Sequence, residues 1–507
     1  MRTDDSAPRA GTGMHPAFPI ALYLSAIVVG IFLLRVLGQP WDTNFKVTFP
    51  DSYSYLEVAA RGPFRPFDER PIVYPTYLWL MGRSTPIAVV VQTCAYAGAF
   101  LALCMTAWRV LQSRFAAVVA VVLFVAVAIQ PNFAMWNQQI LSESMGITLA
   151  VASICAWWAF CDHPSPRGVV WAYLWTLLWM GVRDSHIVPT LLIIIPTAVI
   201  SALVWRGIDP NIRKRLIVGA VVTVGISGWF YVAQDVSNRN QYPFHNNIGV
   251  RVLADEELKE YFVEGGMPLN ETLEGREGHF SWDDGEVFLQ DPELEEYRDW
   301  ADGPGARRFL LSLGLKFPTW YDKLMDELPN TFSDDLGAYD TYGVADRLPQ
   351  ASPTLTIPLP MENDFEIQLG GPRSMPGLAW WTVLAGLGIA AALLSAIMLR
   401  ARGAVVLFAA AGLVSAFVEL YASYVGDSLE VSRHLVGPLS RLAVMLAICV
   451  VIGIDGIQRT MQREPAAAVA EPEEHEPEDD DGFVAVGPAP AEGAHAEGAH
   501  AESESDD

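Results

Sequence analysis

The stretch FPIALYLSAIVVGIFLLRVL, residues 18–37, contains one charged residue, Arg35. Coiled as a helix at about 1.5 Å per residue it is roughly 30 Å long, which matches the hydrocarbon core of a bilayer. It is too long for the core of a typical secretory signal, and the residues before it are polar, with Asp4 and Asp5. We therefore expect a retained anchor rather than a cleaved leader. Arg2 and Arg9 precede the run, so the amino terminus is expected in the cytoplasm and the chain emerges on the extracytoplasmic side. Just beyond lies Phe49-Pro50-Asp51-Ser52-Tyr53-Ser54-Tyr55, where the Asp51 carboxylate would meet both lipid headgroups and water.

Further runs of this kind follow. Apolar residues make up 51% of the chain and charged residues 18%, and the apolar residues gather in blocks rather than in a period of two or seven. The expected fold class is an all-α polytopic membrane protein. Ten spans fit: 18–38, 85–108, 115–130, 141–161, 168–182, 187–205, 216–234, 377–399, 403–423 and 435–455. Counted from an inside start, the inner connections hold Arg109 and Arg114, Arg167, Arg206 with Arg213, Lys214 and Arg215, Arg400 with Arg402, and Arg459 with Arg463. That is the positive-inside pattern. Lys46, Arg61, Arg65, Arg70 and Arg83 stand in the first outer loop against the rule, which points to other tasks for some of them. The expected organisation is a cytoplasmic segment 1–17, a transmembrane core 18–234 with its first outer loop at 39–84, an extracytoplasmic loop domain 235–376, C-terminal transmembrane helices 377–459, and a cytoplasmic tail 460–507.

The net charge of −25 belongs largely to that tail, where residues 464–507 carry 15 Asp and Glu and no Lys or Arg. With Phe483 as its one aromatic residue, the tail has too little apolar surface to offset its ordering entropy and is expected to be disordered. Nothing indicates nucleic acid. All five cysteines, at 94, 104, 155, 161 and 449, fall in or beside apolar runs, so neither a disulfide framework nor a cysteine metal site is expected. No cofactor or metal site is read, and a divalent-metal requirement stays open. An alanine-rich composition without organellar signals points to a bacterial plasma membrane.

The topology sorts the unusual polar residues to one face. Asp51, Glu69 and Arg70 fall in the first outer loop, Glu143 at the outer start of the fourth span, Arg183, Asp184 and His186 between the fifth and sixth, and Asp427, Glu430, Arg433 and His434 between the ninth and tenth. Ionisable groups at membrane depth are costly and face a cavity or a partner. Their convergence predicts an outward-opening polar pocket. Bland alternatives stand beside this for individual residues: an interfacial Arg183–Asp184 ion pair, or a headgroup-level His434.

Three short motifs carry a family resemblance: Asp51-Ser52-Tyr53 with Tyr55 and Ala59; Arg70-Pro71-Ile72-Val73-Tyr74-Pro75 with Leu78 and Leu80; and Leu141-Ser142-Glu143-Ser144-Met145. Over residues 15–205 the chain resembles the GT-C glycosyltransferases, the group of membrane enzymes that includes the protein mannosyltransferases and aminoarabinose transferases and takes sugars from polyprenyl-phosphate donors. The resemblance implies a GT-C-like bundle, an acidic catalytic residue in the first outer loop at Asp51, and a second acid at Glu143. Many members place two adjacent acids in that loop; here Asp51 is followed by Ser52, against a metal-bridging role for the loop. Ser432-Arg433-His434 is similar to the arginine-containing element before late helices of the group.

Glycosyl transfer from a lipid phosphate needs these residue types. A carboxylate must take the acceptor proton and cations must stabilise the departing phosphate. Asp51 is the candidate base, Arg183, Arg433, His434 and Arg70 are candidates for the phosphate, and Glu143, Asp184, His186 and Tyr53 are candidate supporting groups. One displacement with one base inverts the anomeric centre. Expected partners are a polyprenyl-phosphate-linked sugar, an extracytoplasmic glycan, lipid or protein acceptor, and membrane lipids. The loop 235–376 is the candidate for acceptor selection. It holds Asn246-Asn247-Ile248-Gly249-Val250-Arg251 and helical-looking runs at 254–262, 306–317 and 321–328, and its Trp282, Trp300, Trp320, Tyr297 and Tyr321 are placed for either ring stacking or packing. Alternatives are a transporter, which should show repeated halves and broken midplane spans, and a non-catalytic membrane scaffold.

Overall fold

Three helix starts share one device. Ser113, Ser165 and Asp209 each stand in extended backbone and accept a hydrogen bond from a main-chain amide two or three residues on, and in the last two cases the next residue is Pro166 or Pro210. A short side-chain oxygen satisfies an orphan amide of the first turn, and proline fits there without a hydrogen to place. In the computed structural model the described residues are 50–205, 207–239, 241–281, 283–333, 355–358, 366–369, 403–426, 428 and 431–468. The expected spans 18–38 and 377–399, together with Trp282, Asp427 and Glu430, lie outside them.

Helix α1 (Pro50–Ala60) is followed by α2 (Val73–Leu80), α3 (Thr85–Val110), α4 (Arg114–Ala128), α5 (Ser142–Asp162), α6 (Pro166–Met180), α7 (Asp184–Val204) and α8 (Pro210–Val236). Helix α9 (Gln241–Asn247) opens a region of short helices that includes α10 (Glu256–Glu264), α11 (Ala306–Leu315) and α12 (Phe317–Ser333). Two short antiparallel strands, Leu355–Pro358 and Glu366–Leu369, pair with Leu355 opposite Leu369. Helices α13 (Gly403–Gly426) and α14 (Val431–Ala468) close the order, and α14 continues past residue 459, where the C-terminal helices were expected to stop.

Among the described residues six helices, α3, α5, α7, α8, α13 and the Arg433–Arg459 part of α14, are long and apolar enough to cross a membrane. The expected ten are not established. Helix α4 covers the expected span 115–130 and α6 the expected span 168–182, each with 15 residues, about 22 Å at 1.5 Å per residue against a core of about 30 Å.

The Arg433–Arg459 segment is almost wholly buried, whereas α7 and α8 leave most of their apolar surface outward. Without water to expel between helices in lipid, their adhesion depends on close packing. Gly219 illustrates this: a Cβ there would stand 2.3 Å from the Tyr173 ring, and the same tyrosine donates its hydroxyl to Leu216 O at 2.8 Å. Helix α7 is irregular, passing from a 3-10 turn at Asp184–His186 through Ile187–Pro189 to a π turn at Thr190–Ile194 before regular helix at Ile195–Val204.

The run Asn246–Arg251 serves architecture. Asn246 Oδ1 accepts from the Ser281 amide and hydroxyl at 2.9 and 2.7 Å. Asn247 donates to Val425 O at 3.1 Å and Arg251 to Tyr424 O at 2.5 Å, with the guanidinium 3.9 Å above the Tyr424 ring. Both thus satisfy carbonyls at the end of α13. Trp300 and Trp320 are buried, as is Tyr297, so packing rather than ring stacking accounts for them.

His245 makes this region acid-sensitive. Its Nδ1 lies 2.7 Å from the Tyr297 hydroxyl and its ring stacks on Phe288, and burial, reinforced by Arg298, lowers its pKa to about 4 from 6.5. Between those values the unfolded chain binds the proton and the folded one does not, so stability falls as pH drops from 6.5 towards 4, by up to roughly 3 kcal/mol. Hydrogen exchange of peptides 241–300 should accelerate over that interval, and His245→Gln should flatten the profile. Unchanged acid dependence in the variant would remove His245 as the cause.

Candidate functional site

Asp51 sits in the first turn of α1, where the helix dipole favours a carboxylate. Two guanidiniums share it. Arg70 donates to Oδ1 at 2.5 Å and Arg433 to Oδ2 at 2.7 Å, although 382 positions separate Asp51 from Arg433. Burial alone would raise the acid's pKa, but Arg433 and then Arg70 outweigh it and hold the carboxyl well below the ordinary range. Arg70 is anchored in turn by donation to Ser54 Oγ at 2.9 Å and by the Tyr55 ring 5.0 Å away.

The floor of the site is a chain of hydrogen bonds. Tyr55 donates to Ser142 Oγ at 3.0 Å, and burial pushes its phenol pKa up, so it remains a neutral donor. Ser144 donates to Asn137 Oδ1 at 2.5 Å, and Gln92 donates to both Asn137 O and Gln139 O at 2.8 Å. Ser142 and Ser144 thereby fix the first turn of α5 and aim Glu143 between two arginines. Its Oε1 lies 3.4 Å from Arg433 Nε and 3.8 Å from Arg183, while Oε2 is buried without a hydrogen-bond partner among the described residues.

His434 lies between cations. Its Nδ1 is 3.1 Å from Arg183 and its Nε2 is 3.2 Å from Arg433. Neutral imidazole has one lone pair, so one of those contacts cannot be a good hydrogen bond. The described cluster therefore holds three guanidiniums, Arg70, Arg183 and Arg433, against two carboxylates, Asp51 and Glu143. Three guanidiniums brought this close together suit an anion.

The other sequence candidates lie elsewhere. Tyr53 is 64% exposed. Asp184 pairs with Arg239 at 3.0 Å rather than with Arg183, which corrects the interfacial-pair alternative. Arg239 also donates to Pro66 O and Asp68 O at 3.1 Å, stapling the first loop to the start of α7; sequence reasoning missed it. Its signal was available, since it is an arginine on the side of the bundle where the charge rule disfavours one. His186 turns away from the cluster: Nδ1 meets Trp179 O at 2.8 Å and Nε2 lies 3.3 Å from Glu419, itself bonded to Arg441 at 2.8 Å. Glu419 and Arg441, in mid-helix on α13 and α14, were not anticipated either. Among the described residues no three His, Cys, Asp or Glu side chains are gathered to hold a metal ion.

No family model matches the chain, and no curated protein does. Among solved structures it is similar to the oligosaccharyltransferase AglB of Archaeoglobus fulgidus in complex with an inhibitory peptide and a dolichol-phosphate, at 16% identity and a TM-score of 0.40 over 90% of this chain and 52% of that one. The apo form of the Archaeoglobus fulgidus oligosaccharyltransferase gives 15% and 0.39 over 88% and 52%, and its complex with Zn and sulfate gives 14% and 0.38 over 89% and 52%. The chain spans about half the length of these structures.

Proposed function

We propose that the chain is a membrane glycosyltransferase of GT-C type that moves a sugar from a polyprenyl-phosphate donor to an acceptor hydroxyl on the extracytoplasmic side. The observation that carries this is the convergence of three guanidiniums, Arg70, Arg183 and Arg433, on Asp51 and Glu143 at one end of an apolar helical bundle. An anion carried by a lipid fits that position. Arg433 and Arg183 receive the phosphate, with His434 and Arg70 beside them.

In the reaction the acceptor oxygen forms a bond to the anomeric carbon while the bond from that carbon to the phosphate oxygen breaks. The phosphate leaves with the electron pair and the guanidiniums stabilise it. Asp51 takes the acceptor proton. Held by two arginines, Asp51 is a weak base; a phosphate that draws Arg433 and Arg70 to itself relaxes this grip and raises the carboxylate's basicity. Donor binding thus readies the base.

The test uses the lipid phosphate itself, the part of the donor that the arginines would hold. A short polyprenyl phosphate should raise the melting temperature of the purified full chain, the polyprenol of equal length should not, and radiolabelled polyprenyl-phosphate sugars should then be screened for transfer. An equal effect of phosphate and alcohol would remove the phosphate site.

A further inference from the structure

A cavity of about 650 Å³ lies in the half of the bundle away from Asp51. Helix α5 enters the bundle beside the arginine cluster at Glu143, and only its later part, from Ala150 to His163, lines the cavity. Helix α13 packs against the 3-10, α and π turns of α7 and draws away from its last stretch, Ile195–Val204. The gap between them is the mouth. From α7 it is lined by Ile194, Thr197, Ala198, Ile200, Ser201 and Val204, with Trp205 just beyond, a spacing of three and four that keeps them to one side of the helix. Leu203, Val204 and Leu407 around it are exposed, so among the described residues the opening meets the bundle's outer apolar surface.

The polar groups of the wall are engaged with one another. Trp157 donates its indole N–H to Thr176 Oγ1 at 3.0 Å, which also meets Ser153 Oγ at 2.9 Å, and Ser201 donates to Thr197 O at 2.7 Å. Arg441 donates to Glu419 and, at 2.7 Å, to Ser415. The wall thus turns mainly hydrocarbon and aromatic faces to the cavity, which suits an apolar chain and offers little to a polar solute. At the blind end Trp179 lies between Arg441, 4.4 Å from its ring, and the stacked His186, also at 4.4 Å. This plug separates the cavity from the arginine cluster. Asp162 and His163, 3.2 Å apart, stand at the other end with His163 exposed, and both line the cavity. A carboxyl group beside an exposed imidazole there suits a lipid headgroup.

We propose that the cleft between α7 and α13 binds an acyl chain of a bilayer phospholipid, entering sideways from the leaflet farther from Asp51. The plug sets this apart from the donor lipid, so the site stands whether or not the glycosyl-transfer reading does. The test is photolabelling of the full chain in phosphatidylcholine nanodiscs, with diazirine at the acyl terminus in one arm and at the end of a polyprenyl phosphate in the other. Phospholipid adducts are expected on α5 at Ser153–Trp157, a floor turned from the outer surface. Filling the cleft with Ala411→Trp or, at its mouth, Ala404→Trp should cut those adducts several-fold and leave labelling of the outward Val218–Val232 face of α8 unchanged. An unlabelled floor beside a labelled α8 would overturn the proposal. So would a floor reached only by the polyprenyl probe, or undiminished floor labelling in either tryptophan variant that melts like the wild type.

Discussion

Asp51→Asn should abolish most glycosyl transfer, by about 10² to 10⁴-fold in kcat, the range lost with a general base. It should also weaken the fold, because Asp51 is the shared partner of Arg70 and Arg433. Removing one side of a partly buried ion pair strands the other charge, at a cost on the order of 1–3 kcal/mol. The two effects separate in the double variant Asp51→Asn with Arg70→Gln, which removes one stranded charge with the acid. Its melting temperature should recover while transfer stays low. If activity returns with stability, Asp51 is a structural counter-ion and the base is elsewhere.

Arg433→Gln is expected to be the most damaging arginine change. Arg433 touches both carboxylates and His434, and a lost charged hydrogen bond is worth roughly 1.5–3 kcal/mol, or about one to two decades of rate. Arg183 approaches Glu143 only at 3.8 Å, so Arg183→Gln should cost less, about tenfold at the lower end of that range. Lysine at 433 keeps the charge but loses the fork, and should fall between. Affinity for a polyprenyl phosphate and melting temperature, measured on the same samples, distinguish phosphate recognition from scaffolding. Unstable Gln variants with undiminished affinity would end the phosphate assignment. Pairing Arg183→Gln with Asp184→Asn should give no rescue, because Asp184 already belongs to Arg239.

Much of this cluster was legible because topology is a one-dimensional code. Apolar runs alternate with basic connections, so Asp51, Glu143, Arg183 and Arg433 are sent to one end of the bundle without knowledge of any contact. What the code lacks is helix phase. Arg183 and His186 are three positions apart, yet one faces Glu143 and the other Glu419, since Arg183 stands in extended backbone before the 3-10 turn that holds His186. The Glu419–Arg441 pair hides for the same reason: two charges within long apolar runs become partners only once the faces of α13 and α14 are fixed. Asn247 and Arg251 were read as part of an acceptor region, and their ties to the end of α13 depend on a fold-back invisible in local pattern.

The π turn at Thr190–Ile194 sets the phase of α7 in a way that its composition conceals. Each residue of an α-helix turns the chain by about 100°, and a π turn takes up one residue more than an α turn, so re-coiling the same residues as a plain α ladder would rotate everything beyond it by about that angle. Leucine or isoleucine at any one site is interchangeable in oiliness, but the stripe from Ile194 to Trp205 would swing off its cleft and expose Thr197 and Ser201 to hydrocarbon. The irregular turn therefore acts as a phase setter: it lets one rod present Arg183 to the polar end and an apolar stripe to the other.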